Sequence, residues 1–234
     1  MPIRYATHRD LDAISHIFTA AFWDEDYSGR FVHPYREQYP DSVLHYWRRK
    51  VRAAFWDYRN CLIVSVDQDG RITGAAEWGR VGRPSALGLK MGLGLGLSWW
   101  DPRRLVAPLV KVWNRIEEWM WPNRAAVPDR LDASSRAAPF FTRHLVGVRS
   151  DGWKLSTLGV HPDGHGKGYG RELVRWGLQK AQDEGISAGV ITSDGSEQFY
   201  RKCGFDVELC KITEGENNPL SEVKGGVIFF KDPH

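Results

Sequence analysis

Residues 153–193 constrain this chain more than any other stretch. WKLSTLGV has the pattern of a strand, HPDGHGKGYG that of a glycine-rich turn, RELVRWGLQKAQDEG that of a helix and SAGVITS that of a second strand. Tyr169, Leu173, Val174, Gly177, Leu178 and Ala181 fall on one face of the helix. Strand, turn, helix and strand make a β-α-β unit, whose two strands must run parallel through a right-handed crossover. Downstream, SEQFYRKC reads as a short helix closed by Gly204, and DVELCKI and VKGGVIFFKD as two further strands.

The first third of the chain supplies the elements such a sheet needs. Ile3 to Thr7 reads as a short edge strand, followed by a helix over His8 to Phe22 whose apolar face is Leu11, Ile14, Ile17, Phe18 and Phe22. Gly29, Pro34 and Pro40 interrupt helical spacing across 23–40, and a second helix over Asp41 to Tyr58 is expected to start with Asp41 as N-cap. CLIVSVD and RITGAAEWGRV, joined by Gln68-Asp69-Gly70, predict an antiparallel hairpin.

Residues 82–152 fit none of these units. Glycines at 88, 92, 94 and 96 penalise both helix and strand over 86–97, which predicts a wrapping loop. From Asp101-Pro102 a helix is expected with Leu105, Leu109, Val112, Trp113, Ile116, Trp119 and Met120 on one face, then a weaker helix over 129–145. The segment has no evident core of its own, so the expectation is one domain over 1–234 with an insertion at about 82–152. Its Trp-rich helix could act as scaffold and partial lid, or as a homodimer contact.

Composition narrows the function. Thirty-two basic against 29 acidic residues among 234 leave a net charge of +3, too weak a bias for a dedicated nucleic-acid binder. Three cysteines without a CxxC suggest neither a disulfide framework nor a zinc site and fit a cytoplasmic protein. No signal-peptide core and no run of 18 uncharged apolar residues is found. His161 and His165 are four apart, but Pro162 and Gly164 between them forbid a regular helix, so no metal site is expected.

The chemistry lies in His165-Gly166-Lys167-Gly168-Tyr169-Gly170, between a strand and a helix. Helix-start amides lack acceptors and sit at the positive end of the dipole, and glycines let an anion approach closely, which is the makeup of a pyrophosphate cradle. A tightly packed turn is the plain alternative. The P-loop pattern fails because Lys167 precedes Gly168, and the dinucleotide GxGxxG fails because Tyr169 or Arg171 occupies its last position.

This segment resembles the signature of the GNAT superfamily of acyl-CoA-dependent N-acyltransferases, [Q/R]-x-x-G-x-[G/A] after a strand ending in V-x-P. Val160-His161-Pro162 precedes it here, Gly168 and Gly170 match, and His165 replaces Gln or Arg. A second family signature, N-x-x-A-x-x-F-Y-x-K-x-G-F, is matched by Phe199, Tyr200, Lys202, Gly204 and Phe205, with Ser193 and Ser196 in place of Asn and Ala. The resemblance covers 153–210 well and 1–81 in element order only.

The resemblance implies an α/β (α+β) fold with a mixed, mostly antiparallel sheet of about seven strands, splayed at its parallel pair, and helices on both faces. It implies acetyl-CoA as co-substrate, with Leu158 and Val160 pairing the pantetheine arm and the 165–170 segment and Arg171 meeting the phosphates. Ser193, Ser196 and Tyr200 are implied at the same site. The Leu158 amide would stabilise the oxyanion and Tyr200 would protonate the thiolate. An acceptor amine must lose a proton, for which Glu77 and Asp24, Glu25 or Asp26 are candidate bases. Asp24, Glu25 and Asp26, with Tyr27, would suit a cationic acceptor. The expected activity is direct acetylation of a small-molecule primary amine; a protein lysine or N-terminal acetyltransferase and a non-catalytic CoA-binding module are the alternatives.

Overall fold

The computed structural model describes residues 2–82 and 103–233. The expected glycine-rich loop at 86–97 and the Asp101-Pro102 helix start lie outside them. Seven strands form one sheet: β1 (Ile3–Tyr5), β2 (Asn60–Val66), β3 (Ile72–Val81), β4 (Gly152–Val160), β5 (Ser187–Ser193), β6 (Val207–Lys211) and β7 (Gly225–Lys231). Their order is β1-β2-β3-β4-β5-β7-β6. Only β4 and β5 pair in parallel, as the β-α-β pattern requires; the other neighbours are antiparallel.

Alternation along the strands sends side chains to two helical layers. Trp78, Leu155, Val190 and Phe229 face α6 (Tyr169–Glu184), meeting Leu173, Val174 and Ala181. Trp78 is fully buried and donates from Nε1 to Leu173 O at 3.3 Å. Its ring occupies the place a side chain at Gly177 would need: a Cβ there would lie 2.0 Å from the indole. Leu62, Val64 and Ala75 face the other layer, α1 (Leu11–Ala21) and α2 (Pro40–Trp56), with Ile14, Phe18, Val43, Trp47 and Val51. A third cluster, with Phe141, Ile212, Ile228 and Phe230, covers the far end of the sheet.

Four local expectations change. The second helix begins one residue earlier, with Pro40 in its first turn and Tyr39 as N-cap, because proline's fixed φ and missing N–H suit that position. Residues Asp26–Val32 form a π-helical turn rather than an irregular loop, capped by Glu25, whose Oε2 accepts from Ser28 N at 2.5 Å. The helix expected over 129–145 is broken into a 3-10 turn at Pro128–Arg130, α4 (Ala133–Arg136) and α5 (Ala138–Thr142), with prolines in the first turns of the 3-10 segment and α5.

The fourth concerns α3 (Arg103–Met120). Its apolar stripe exists as expected but faces water: Leu105 is 79% exposed, Trp119 83% and Trp113 53%. The helix docks on α2 through its polar side, where Asn114 donates to Arg49 O at 3.0 Å and accepts from Arg52 Nε at 2.7 Å, and Glu117 pairs with Arg52. Trp113, Trp119 and Trp121 are therefore not the inner wall of a lid; Ala107, Val110 and Lys111 are the α3 residues that face a cavity.

Candidate active site

The site begins where β4 and β5 part. Their pairing runs from Gly152↔Ser187 to Leu155↔Val190 and stops, although β4 continues to Val160 and β5 to Ser193. At the same level β4 carries a bulge: Thr157 lies opposite Glu77 and Leu155 opposite Trp78, leaving Ser156 as the extra residue. A bulge bends its strand and sharpens its twist, which turns the end of β4 away from β5.

Beyond the bulge, His161 N donates to Thr73 O at 2.9 Å. Antiparallel alternation then directs the main-chain groups of Gly159 at β3 and those of Leu158 and Val160 into the opening. Val160's carbonyl is met there by His165 Nε2 at 3.1 Å. His165 therefore closes the turn onto the end of β4, and leaves Leu158 as the freer backbone edge.

Next to that edge, Pro162–Gly164 forms a single 3-10 turn, and Gly166 and Gly168 take φ values of 76° and 87°. Those left-handed conformations are why glycines stand here. Gly168 is the N-cap of α6, and Glu172 N donates back to Gly168 O at 3.1 Å. By helix geometry the amides before Glu172 have no intrahelical acceptor and point out of the helix start. His165 to Gly168 are exposed and Tyr169 is buried beneath them. A Cβ on Gly170 would lie 3.4 Å from the Phe199 ring, so the two family-like segments are in contact.

Phe199 and Tyr200 sit on α7 (Glu197–Cys203). Tyr200 is 8% exposed, edge-on to Phe199 at 5.0 Å and to Phe205 at 5.9 Å between ring centroids. Burial, reinforced by Cys203, pushes its phenol well above the ordinary value. Burial also raises the Cys203 thiol, against the nearby Arg171 guanidinium. Ser196 donates its hydroxyl to Ser193 O at 2.7 Å, a bond within the turn that precedes α7.

Two cavities meet on the α1–α2 side of the opening. One, of about 530 Å³, has Phe18, Asp57, Glu77 and Val110 in its wall; the other, of about 450 Å³, has Glu25, Tyr27, Lys154 and Ile191–Ser193. Trp47, Lys50, Ser156 and Thr157 line both. Glu77 accepts from Asn60 Nδ2 at 2.9 Å and from Thr157 Oγ1 at 3.2 Å. Burial raises its pKa, and the Lys50 cation opposes that rise.

The three consecutive acids separate. Asp24 is exposed and pairs with Arg36 at 3.2 Å, and Asp26 accepts from Lys224 N at 2.6 Å. Glu25 alone of the three lines the second cavity, with its pKa raised by burial against hydrogen bonds from Ser28 and Ser193. Lys50, Lys154 and Thr157 were not singled out by the sequence analysis. Lys50 falls on the same helix face as Val43, Trp47, Val51 and Ala54, so a cation on an apolar stripe was the available signal.

Residues 113–205 match the model of the acetyltransferase (GNAT) family. A relative named acetyltransferase, from Stachybotrys chartarum, is 25% identical over 229 residues, covering 94% of this chain and 87% of the relative. The family match and this relative support a place in the GNAT superfamily. The chain shares its fold with a histone acetyltransferase HPA2 and related acetyltransferase from Corynebacterium glutamicum, at a TM-score of 0.59 and 18% identity over 99% and 96% of the two chains. It is also similar to a polyamine N-acetyltransferase of Drosophila melanogaster, with a TM-score of 0.51, 14% identity and 99% of each chain covered. An arylalkylamine N-acetyltransferase 2 from Aedes aegypti has a TM-score of 0.50 at 16% identity, over 99% of this chain and 98% of that one. That family uses acetyl-CoA, and in this chain the glycine cradle and the open edge of β4 lie side by side. Among the described residues no helix is long and apolar enough to cross a membrane.

Proposed function

We propose that this protein transfers the acetyl group of acetyl-CoA directly to the primary amine of a small molecule. One observation carries the reading: the gap between β4 and β5 has the glycine cradle at its rim and the two joined cavities at its base. The amides from Gly166 to Gly170 hold the diphosphate, with Lys167 and Arg171 nearby, and the open edge of β4 at Leu158 pairs with the pantetheine arm. A volume of about 450 Å³ suits a small acceptor. The similar folds of a polyamine and an arylalkylamine acetyltransferase support that class, and the fold of the histone acetyltransferase HPA2 relative leaves a protein substrate as the alternative.

The amine nitrogen attacks the thioester carbonyl, and the Leu158 N–H stabilises the oxyanion. The amine's proton passes to Glu77 through Thr157, whose hydroxyl already donates to that carboxylate and lines both cavities. As the C–S bond breaks, Tyr200 gives its proton to the sulfur and recovers one from solvent. A phenol above its ordinary pKa of about 10 is a weak acid, but the same burial raises the pKa of a thiol formed beside it, which keeps the two matched. We also propose that 82–152 is an insertion in a single domain. Val81 lies opposite Gly152, so the chain leaves the sheet and rejoins it at one point.

Titration calorimetry with acetyl-CoA, alongside Gly168→Val, tests the reading. Saturable heat in the parent and its loss in the variant are expected, followed by free-thiol release with an amine panel. No heat at millimolar acetyl-CoA ends the proposal, and acetylation of peptides but no small amine moves it to the protein-directed alternative.

A further inference from the structure

The charges lining the acceptor cavities do not fit a purely cationic amine. Lys50 projects from α2 at the junction of the two spaces, Lys154 from β4 into the second, and Lys224 stands at its edge. The acids that face them are already engaged: Glu25 with Ser28 N and Ser193, Glu77 with Asn60 and Thr157. Among the described residues, none of the three lysines forms an ion pair with a carboxylate.

Two of these cations are held in place by aromatic faces. Lys50 Nζ lies 5.1 Å from the Tyr46 ring centroid and 5.5 Å from that of Trp47, and Lys154 Nζ lies 4.4 Å from that of Phe141. Both lie in the field of the Glu77 carboxylate without forming an ion pair with it, so each can still take up an anion supplied from outside. The amine to be acetylated meets Thr157 and Glu77; the lysines lie around the same space.

We propose that the acceptor is an amine that also carries a carboxylate, an amino-acid-like zwitterion whose anionic end is held by Lys50 and Lys154. This rests on the acetyltransferase reading above and deepens it by naming the acceptor's chemistry. Lys224, on the rim, extends the same field toward the entrance.

Matched pairs of acceptors test it: ornithine against putrescine, tyrosine against tyramine, tryptophan against tryptamine, each followed by free-thiol release. The acid member of at least one pair is expected to have a kcat/KM ten-fold or more above its amine. Lys50→Met and Lys154→Met should each shrink that ratio by about ten- to hundred-fold, the loss of one charge-assisted contact. Lys154→Arg should keep most of it. Amines that outrun their acids, or variants that slow both members equally, overturn the proposal. If no pair turns over, melting curves with the N-acetylated acids and amines decide it: stabilisation by the acids alone supports it, and no carboxylate-dependent shift rejects it. Acetyl-CoA calorimetry on the unmodified protein reports separately, since absence of that binding defeats the underlying reading.

Discussion

Thr157 Oγ1 donates to Glu77 Oε2 at 3.2 Å, one residue past the bulge at Ser156. Burial holds the Glu77 carboxyl above the ordinary carboxylate range, so its basic form is lost as pH falls through that raised value. The acid limb of kcat/KM should therefore lie above the usual range for a glutamate. Glu77→Gln should remove the limb and lower the plateau by about 100-fold. A pH–rate profile with the limb intact in the variant would exclude Glu77 as the base.

Tyr200→Phe should cost about 100-fold in kcat with acetyl-CoA affinity unchanged. Because burial raises the phenol, its deprotonation should impose no alkaline fall in rate up to its ordinary pKa of about 10. Steady-state kinetics beside calorimetry separates the two effects; equal turnover across pH in the variant would remove Tyr200 from the mechanism.

Gly177→Ala sets two effects against each other. Alanine favours a helix interior by about 1 kcal/mol over glycine. Its Cβ, however, would sit 2.0 Å from the ring of a fully buried Trp78 that bonds to Leu173 O. Overpacking of that kind costs about 3 kcal/mol, so net destabilisation wins. Thermal unfolding should show a lower Tm, and an unchanged Tm would contradict the packing.

Asp10 accepts from Arg4 at 2.7 and 3.0 Å and from Thr7 N at 2.6 Å. The Arg4 guanidinium chiefly holds its carboxyl at about 2, below the ordinary 3.8, against the effect of burial. A depressed carboxylate stabilises the fold above its unfolded pKa, and that stability is lost as pH falls through the folded one. With solvent screening of the partly exposed Arg4, about 1 kcal/mol should disappear between pH 4 and 2. Asp10→Asn should flatten the stability curve in that window, as chemical unfolding at several pH values would show.

The glycine cradle and its helix were legible because both depend on local rules: glycines at positive φ and one apolar face from Tyr169 to Ala181. The direction of α3 was not. Periodicity defines a stripe but not what it faces, and the deciding contacts, Arg52 to Glu117 and Asn114 to Arg49, join residues more than sixty apart. Asp24, Glu25 and Asp26 look like one cluster in the sequence, yet the π-helical turn from Asp26 sends them to three environments. The second cavity was legible only in part, since Lys50 and Lys154 come to its wall from α2 and β4, far apart along the chain.

β5 stops pairing with β4 at Val190 but stays bonded to β7 as far as Ser193. The sheet is thus continuous up to Leu155 and divides beyond it, with a slot between the ends of β4 and β5. A molecule that hydrogen-bonds along Leu158 bridges that slot. Occupancy then becomes a mechanical property of the whole protein, readable as slowed amide exchange far from the slot itself.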